Sequence, residues 1–241
     1  MDIVLITSVI NTPNIPLSYI ETRSIYSKSE RFDQTKRTIE TVKQKIPNSI
    51  IFLIECSQID EEQRKYIQEN TNIFVNIFDT DNINIINNIF SQSKSLGEGS
   101  MTIYALQYLK DNNISYNNLY KISGRYWLSN LFNYDNFNNK NIIIKYINSD
   151  ENNCFTALYK LPNEVANNYL HFLKENMQLM EECIGYEVLF ALFLRFYKSN
   201  IMTKSQNIDN CYNSLEYINI VSYDPIGLCG NVSVSNEFYT G

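Results

Sequence analysis

The sequence predicts an α/β protein with a mixed, mostly parallel sheet flanked by helices. Three observations predict it. Strand and helix patterns alternate from the first residues, which argues for βαβ units. The early strands are continuous apolar runs, as in strands buried on both faces. Their carboxyl ends, Thr7-Ser8, Glu55, Asp79 and Ser123-Gly124-Arg125, are all polar. In an open α/β sheet ligands sit outside those ends, so the four segments outline one cleft in a Rossmann-like nucleotide-binding architecture.

The elements follow in order. Ile3–Ile6 is the opening strand. A loop from about Asn11 to Lys28 holds Pro13, Pro16 and Thr22-Arg23-Ser24. Ser27-Lys-Ser-Glu30 has capping-box spacing, and Phe32, Thr35, Ile39, Val42 and Ile46 then recur at helical intervals. Pro47-Asn48 ends that helix and Ile50–Ile54 is the second strand. Asp60-Glu-Glu-Gln63 opens a helix with Tyr66 and Ile67 on its inner face, and Ile73–Phe78 is the third strand. Past an Asn-rich stretch of no clear pattern, Lys94–Ser100 reads as a glycine-containing loop leading into a helix over Met101–Leu109. Leu119–Ser123, Ile142–Ile147 and Phe155–Tyr159 are expected strands, and Pro162–Asn176 and Ile184–Lys198 expected helices. The tail, with Tyr217–Val221 and Asn231–Val234, reads as strand and coil. With no internal repeat and no Gly/Ser/Pro-rich linker, residues 1–241 are expected to form one domain. About 1–126 would be its nucleotide-binding half and about 127–241 its acceptor-side half.

Composition narrows the function. The chain has 241 residues and a formal net charge of −6, which argues against a general nucleic-acid binder. Val188–Leu194, the longest apolar run, is far short of a membrane span of ~20 residues. The start Met1-Asp-Ile-Val-Leu-Ile-Thr lacks a basic n-region and reads as a strand, so a cytoplasmic protein is expected. The cysteines, Cys56, Cys154, Cys183, Cys211 and Cys229, show no C-x-x-C spacing, so reduced thiols are expected rather than a zinc site. His171 is the single histidine, which excludes histidine-based metal clusters. There is no G-x-G-x-x-G after Ile6 and no P-loop, which removes the main support for dinucleotide and P-loop enzymes.

Several segments carry candidate chemistry, each with a plainer alternative. Ser123-Gly124-Arg125 combines a glycine that lets backbone approach a ligand with a guanidinium suited to paired phosphate oxygens. It could equally be a tight turn with a surface arginine. Arg31 opposes the dipole in the first turns of its helix, a cost that an anion site tolerates, as Arg23 would in the first loop. The alternative is a surface arginine paired with Glu30 or Asp33. Lys94, Gly97 and Gly99 make a plausible phosphate or sugar contact or a plain capped loop. Asp79-Thr-Asp81 is either a metal-binding acidic pair or a turn. Glu187, behind Gly185-Tyr186, is either a dipole-complementing residue or a carboxylate kept partly desolvated and basic by apolar neighbours, as a general base needs.

With these residues in place, the chain resembles glycosyltransferases of the GT-A fold, the nucleotide-diphospho-sugar transferase fold. It is most like a short type found in large DNA viruses and bacteria. The matching segments are Thr7-Ser8-Val9, Thr22-Arg-Ser24, Glu30-Arg-Phe-x-Gln-Thr35, Ile46-Pro47, Lys94–Ser100, Lys121-Ile-Ser-Gly-Arg-Tyr126 and Gly185-Tyr-Glu187. The resemblance implies a nucleotide-sugar donor, with UDP or GDP as the nucleotide, and transfer to a hydroxyl of a glycan or other acceptor. It implies donor binding by Thr7, Ser8, Arg23, Arg31, Lys94, Gly97, Gly99, Lys121, Ser123, Gly124 and Arg125. Glu187 would be the base, though Val188 stands where inverting relatives carry a second acid, and Asp224 is the next carboxylate to consider.

Such relatives place two metal-binding aspartates where this chain has Ser123-Gly-Arg125. Metal dependence is therefore expected to be weak or absent, with manganese or magnesium bound only if Asp79 and Asp81 form the site. A host-cell cytoplasmic location would follow for a viral protein. A non-catalytic nucleotide- or glycan-binding protein on a degenerate GT-A fold is the alternative, and a nucleotidyltransferase is a second.

Overall fold

The computed structural model describes residues 1–206, 218–235 and 237–241. β1 (Ile3–Ser8), β2 (Ile50–Glu55), β3 (Ile73–Asn76) and β4 (Asn118–Ser123) are parallel, in the order β3-β2-β1-β4. Antiparallel β7 (Leu158–Pro162) follows β4. Next to it lies β6 (Ile142–Ile144), which pairs in parallel with β8 (Ile220–Ser222) to complete a seven-stranded sheet. This is the mixed, mostly parallel sheet the patterning predicts, and both expected halves of the chain contribute to it. A second sheet, β10-β9-β5, joins Phe238–Thr240, Leu228–Asn231 and Tyr126–Leu128 in antiparallel pairs.

All six residues of β1 are buried, and they alternate between two cores. Ile3 and Leu5 face one with Phe52, Leu106 and Phe190; Val4 and Ile6 face the other with Ile39, Val42 and Leu53. Helices cover each face, as a parallel sheet requires. α1 (Lys28–Lys45) is closed by the expected capping box, in which Ser27 and Glu30 satisfy each other's exposed backbone donors. α2 (Glu61–Asn70) begins with a second box, from Asp60 and Gln63.

Several expected elements differ. The third strand stops at Asn76, where Ile77–Asp79 tightens into a 3-10 turn. The patternless Asn-rich stretch is α3 (Ile83–Phe90), capped by Asn82 and burying Ile86 and Ile89. The expected glycine loop is instead the first turn and a half of α4 (Lys94–Asp111), whose N-cap Ser93 accepts from the Leu96 amide. The strand expected at Phe155–Tyr159 is displaced to Leu158–Pro162. α5 (Tyr134–Phe137), α6 (Asn163–Glu175) and α7 (Met177–Glu181) precede α8, which runs over Tyr186–Gln206. Of the expected tail strand, Ile220 and Val221 lie in β8, and Tyr217, like Cys211, lies outside the described residues. His171 is exposed on α6. Among the described residues no helix is long and apolar enough to cross a membrane.

Candidate active site

The strand order reverses at β1: the chain passes from β1 through β2 to β3 on one side, then returns with β4 on the other. A crevice at the carboxyl ends of β1 and β4 is thus fixed by topology. A cavity of about 120 Å³ lies there, walled by Thr7, Ser8 and Val9 from β1, Ser123, Gly124 and Arg125 after β4, and by Arg23, Arg31, Lys94 and Gly97. Nine of the expected donor-site residues therefore come together. The Gly124 amide donates to the Thr7 carbonyl at 2.9 Å. A Cβ on Gly124 would stand 3.2 Å from both that oxygen and Ser8 Cβ, so the close approach of the strand ends favours a residue with no side chain.

The four cations are held differently. Arg23 is committed to the fold: Nε donates to the Ile15 carbonyl at 3.1 Å, Nη1 to Ile89 at 3.1 Å, and Nη2 to Phe90 and Ser91. It thereby caps the carbonyls left over at the end of α3. Arg31 is 6% exposed, with Nε donating to the Val9 carbonyl at 2.7 Å and Nη1 to Ser24 Oγ at 3.1 Å. The surface pairing with Glu30 or Asp33 is not made: Glu30 closes the capping box, and Asp33 pairs with Lys36 at 2.6 Å. Burial, then repulsion from Arg125, pushes the Arg31 pKa down to about 9, partly offset by Glu55. Arg125 donates to the Asn231 carbonyl at 3.2 Å and lies against the Tyr126 ring. Among the described residues, neither Arg31 nor Arg125 forms an ion pair within 4 Å.

Lys94 lies on the wall shared with a second hollow of about 250 Å³, which is lined by Tyr19, Ser95, Cys183, Gly185 and Glu187 among others. Its ammonium is 3.9 Å from Glu187 Oε1. Burial acts to lower the Lys94 pKa, but the neighbouring Glu187 and Glu98 carboxylates outweigh it and hold the pKa above the usual lysine value. The apolar enclosure expected around Glu187 is absent, since 32% of its side chain is exposed and it faces a cation.

Two expected donor contacts do not line the cavity. Lys121 is fully buried beneath it, its ammonium spent on Glu98, Ser123 Oγ and the Thr156 carbonyl. Gly99 faces away from it, toward Met180 and Tyr186. Asp79 and Asp81 lie outside both hollows, and Asp79 is paired with Arg64 at 2.7 Å. No cluster of three or more His, Cys, Asp or Glu side chains gathers among the described residues. Asp224 is an exposed partner of Lys145 at 2.6 Å.

Glu98 is the site residue that sequence reasoning passed over. It borders both hollows and is, among the described residues, the sole carboxylate on the wall of the first. Burial would raise its pKa, but Lys121 and then Lys94 hold it below the usual carboxylate range. Its spacing of four from Lys94 would have marked it once Lys94–Ser100 was read as helix.

No family model matches the sequence, and no curated protein matches it. Among solved structures, mouse xyloside xylosyltransferase 1 in its apo form superposes with a TM-score of 0.43 at 10% identity, over 88% of this chain and 86% of that one. A protein of Desulfovibrio desulfuricans G20 assigned as a nucleotide-diphospho-sugar transferase superposes at 0.38 and 9% identity, over 75% and 76%.

Proposed function

We propose that the chain is a GT-A-type glycosyltransferase that moves a sugar from a nucleotide-sugar donor to a hydroxyl acceptor. One observation carries this reading. Two guanidinium groups without carboxylate partners, Arg31 and Arg125, meet at the topological switch point of a parallel sheet in a protein of net charge −6. A buried guanidinium left without a counterion, with a second half-buried one beside it, calls for an anion, and the planar fork of arginine matches paired phosphate oxygens. The first cavity carries four cations against one carboxylate, so a diphosphate would neutralise a local excess.

The chemistry follows from the two adjoining hollows. An acceptor hydroxyl in the second hollow attacks the donor's anomeric carbon. The new carbon–oxygen bond forms as the bond to the β-phosphate oxygen breaks, and the electron pair leaves with the nucleoside diphosphate. Arg31, Arg125 and Lys94 stabilise that charge as it develops, which is the work a divalent ion does in relatives with aspartates at this position. Glu187, which lines the second hollow beside Lys94, takes the hydroxyl proton, and Lys94 positions it. Gly97, Thr7, Ser8, Ser123 and Gly124 shape the floor.

The test has two stages. A nucleoside diphosphate at a hundred times its Kd should stabilise the protein by ~2.7 kcal/mol, a clear thermal shift. If neither UDP nor GDP shifts the melting temperature, donor binding is wrong. Glu187→Gln should then keep the parent's diphosphate affinity and lose transfer by roughly 10²–10⁴-fold. Near-parental turnover would remove Glu187 from the mechanism. Binding without transfer by the parent on any sugar nucleotide would favour the non-catalytic binding protein instead.

A further inference from the structure

The second hollow is built differently from the first, and the difference identifies what it takes. Three features define it. Charge has changed sign: Lys94 faces two carboxylates, Glu98 and Glu187, where the first cavity sets four cations against one. Ser95 lines it and is only 4% exposed, and its buried Oγ has no hydrogen-bond partner. Tyr19 also lines it, with 61% of its surface exposed. An exposed aromatic ring lining a cleft offers a broad apolar face for a ligand to pack on.

The fold holds these groups in place. Ser95 and Lys94 are the first residues of α4, where backbone N–H groups lack partners within the helix, and the Ser93 side chain takes the Leu96 amide only. Ser93 Oγ in turn donates to the Met180 carbonyl at 2.5 Å, tying the helix start to the segment that leads to Glu187. The loop bearing Tyr19 is pinned by a bond from the Ser18 amide to the Gln92 carbonyl at 3.0 Å. The hollow thus offers donors and acceptors together, with an aromatic face at its mouth and a net negative wall.

Resting on the glycosyltransferase reading above, we infer that this hollow is an acceptor subsite for a neutral sugar ring. A ring hydroxyl satisfies the orphaned Ser95 Oγ, other hydroxyls donate to Glu98 and Glu187, and the apolar face of the ring lies on Tyr19. Two carboxylates on the wall repel a phosphate, sulfate or uronate, so the acceptor carries no charge near the reacting hydroxyl. The sugar presents its nucleophilic oxygen to Glu187, beside the Lys94 wall that separates it from the diphosphate.

Saturation-transfer NMR with a panel of methyl glycosides (of glucose, galactose, xylose and N-acetylglucosamine) tests this on the full chain saturated with a nucleoside diphosphate. At least one neutral glycoside should bind. Ser95→Ala should weaken it by roughly three- to tenfold, the loss of one hydrogen bond, and Tyr19→Ala by about tenfold or more. Both variants should keep the parent's diphosphate affinity and melting temperature, so a failed diphosphate site is distinguished from a failed acceptor site. The proposal is overturned if no glycoside binds, if both variants bind glycosides like the parent, or if the methyl glycoside of a uronic acid binds more tightly than the neutral ones. It is overturned as well if an intact nucleotide sugar displaces the glycoside where the diphosphate alone does not, because the hollow would then hold the donor's own sugar.

Discussion

At the scale of single residues, what a cation's other contacts leave free decides what it can do. Arg23 and Arg125 stand on the same cavity, yet Arg23 gives its donors to four carbonyls and Arg125 gives one to Asn231. Arg125→Ala should therefore cost nucleoside-diphosphate binding roughly 1.5–3 kcal/mol, the range for hydrogen bonds to charged groups, at nearly constant melting temperature. Arg125→Lys should recover only part, since a point charge does not reproduce the fork. Arg23→Met should do the reverse. It orphans the end of α3, removes about 1–3 kcal/mol of stability and lowers the melting temperature by several degrees. Calorimetric titration with thermal melts on the same proteins checks both, and equal affinity losses in the two variants would refute the division. Residue types at strand ends made most of the cavity legible in sequence. What they could not show is which side chains were already spent: nothing local marks Lys121 as buried under Glu98, because that partner comes from another element.

At the scale of elements, the two glycines of α4 explain why its start looked like a loop. Glycine in a helix costs about 1 kcal/mol relative to alanine, so a pair of them argues against helix on propensity alone. Here packing decides. A Cβ on Gly97 would come within 2.9 Å of the Ile89 carbonyl oxygen, on the helix whose end Arg23 caps, and one on Gly99 would strike Met180. Gly97→Ala should thus destabilise by roughly 1–3 kcal/mol despite its better propensity, because a backbone atom must move. Gly99→Ala should be milder, since the atom in the way ends a flexible side chain. Denaturant melts rank the two, and a stabilised Gly97→Ala would show that the helices separate at little cost. Elsewhere, β1, β2 and α1 were legible because double burial and capping leave local signatures. β5 and β9 were not, because three- and four-residue strands paired across about a hundred positions leave none.

At the scale of the whole molecule, a protein of net charge −6 gathers four cations around one crevice, and this makes binding pH-dependent in a definite direction. Arg31 is the group to watch. Burial and the facing Arg125 push its pKa down to about 9, so it begins to lose its proton at a pH where an ordinary arginine is fully charged. A bound diphosphate favours the protonated form, so affinity should be at its full value up to about pH 8 and decline as pH rises through about 9. Stability should not follow the same course on this residue's account. Above about pH 9, up to the ordinary arginine range, the unfolded chain holds the proton more tightly than the folded one, so deprotonation of Arg31 raises stability with pH. A decline in affinity with no parallel fall in melting temperature is therefore the expected signature. Arg31→Lys sharpens the test: an amine starts from a lower intrinsic pKa and meets the same burial, so the midpoint of the affinity profile should move to lower pH. Titrating a nucleoside diphosphate from pH 7 to 10 against parent and variant measures both. Identical profiles would mean that Arg31, for all its burial, does not face the ligand.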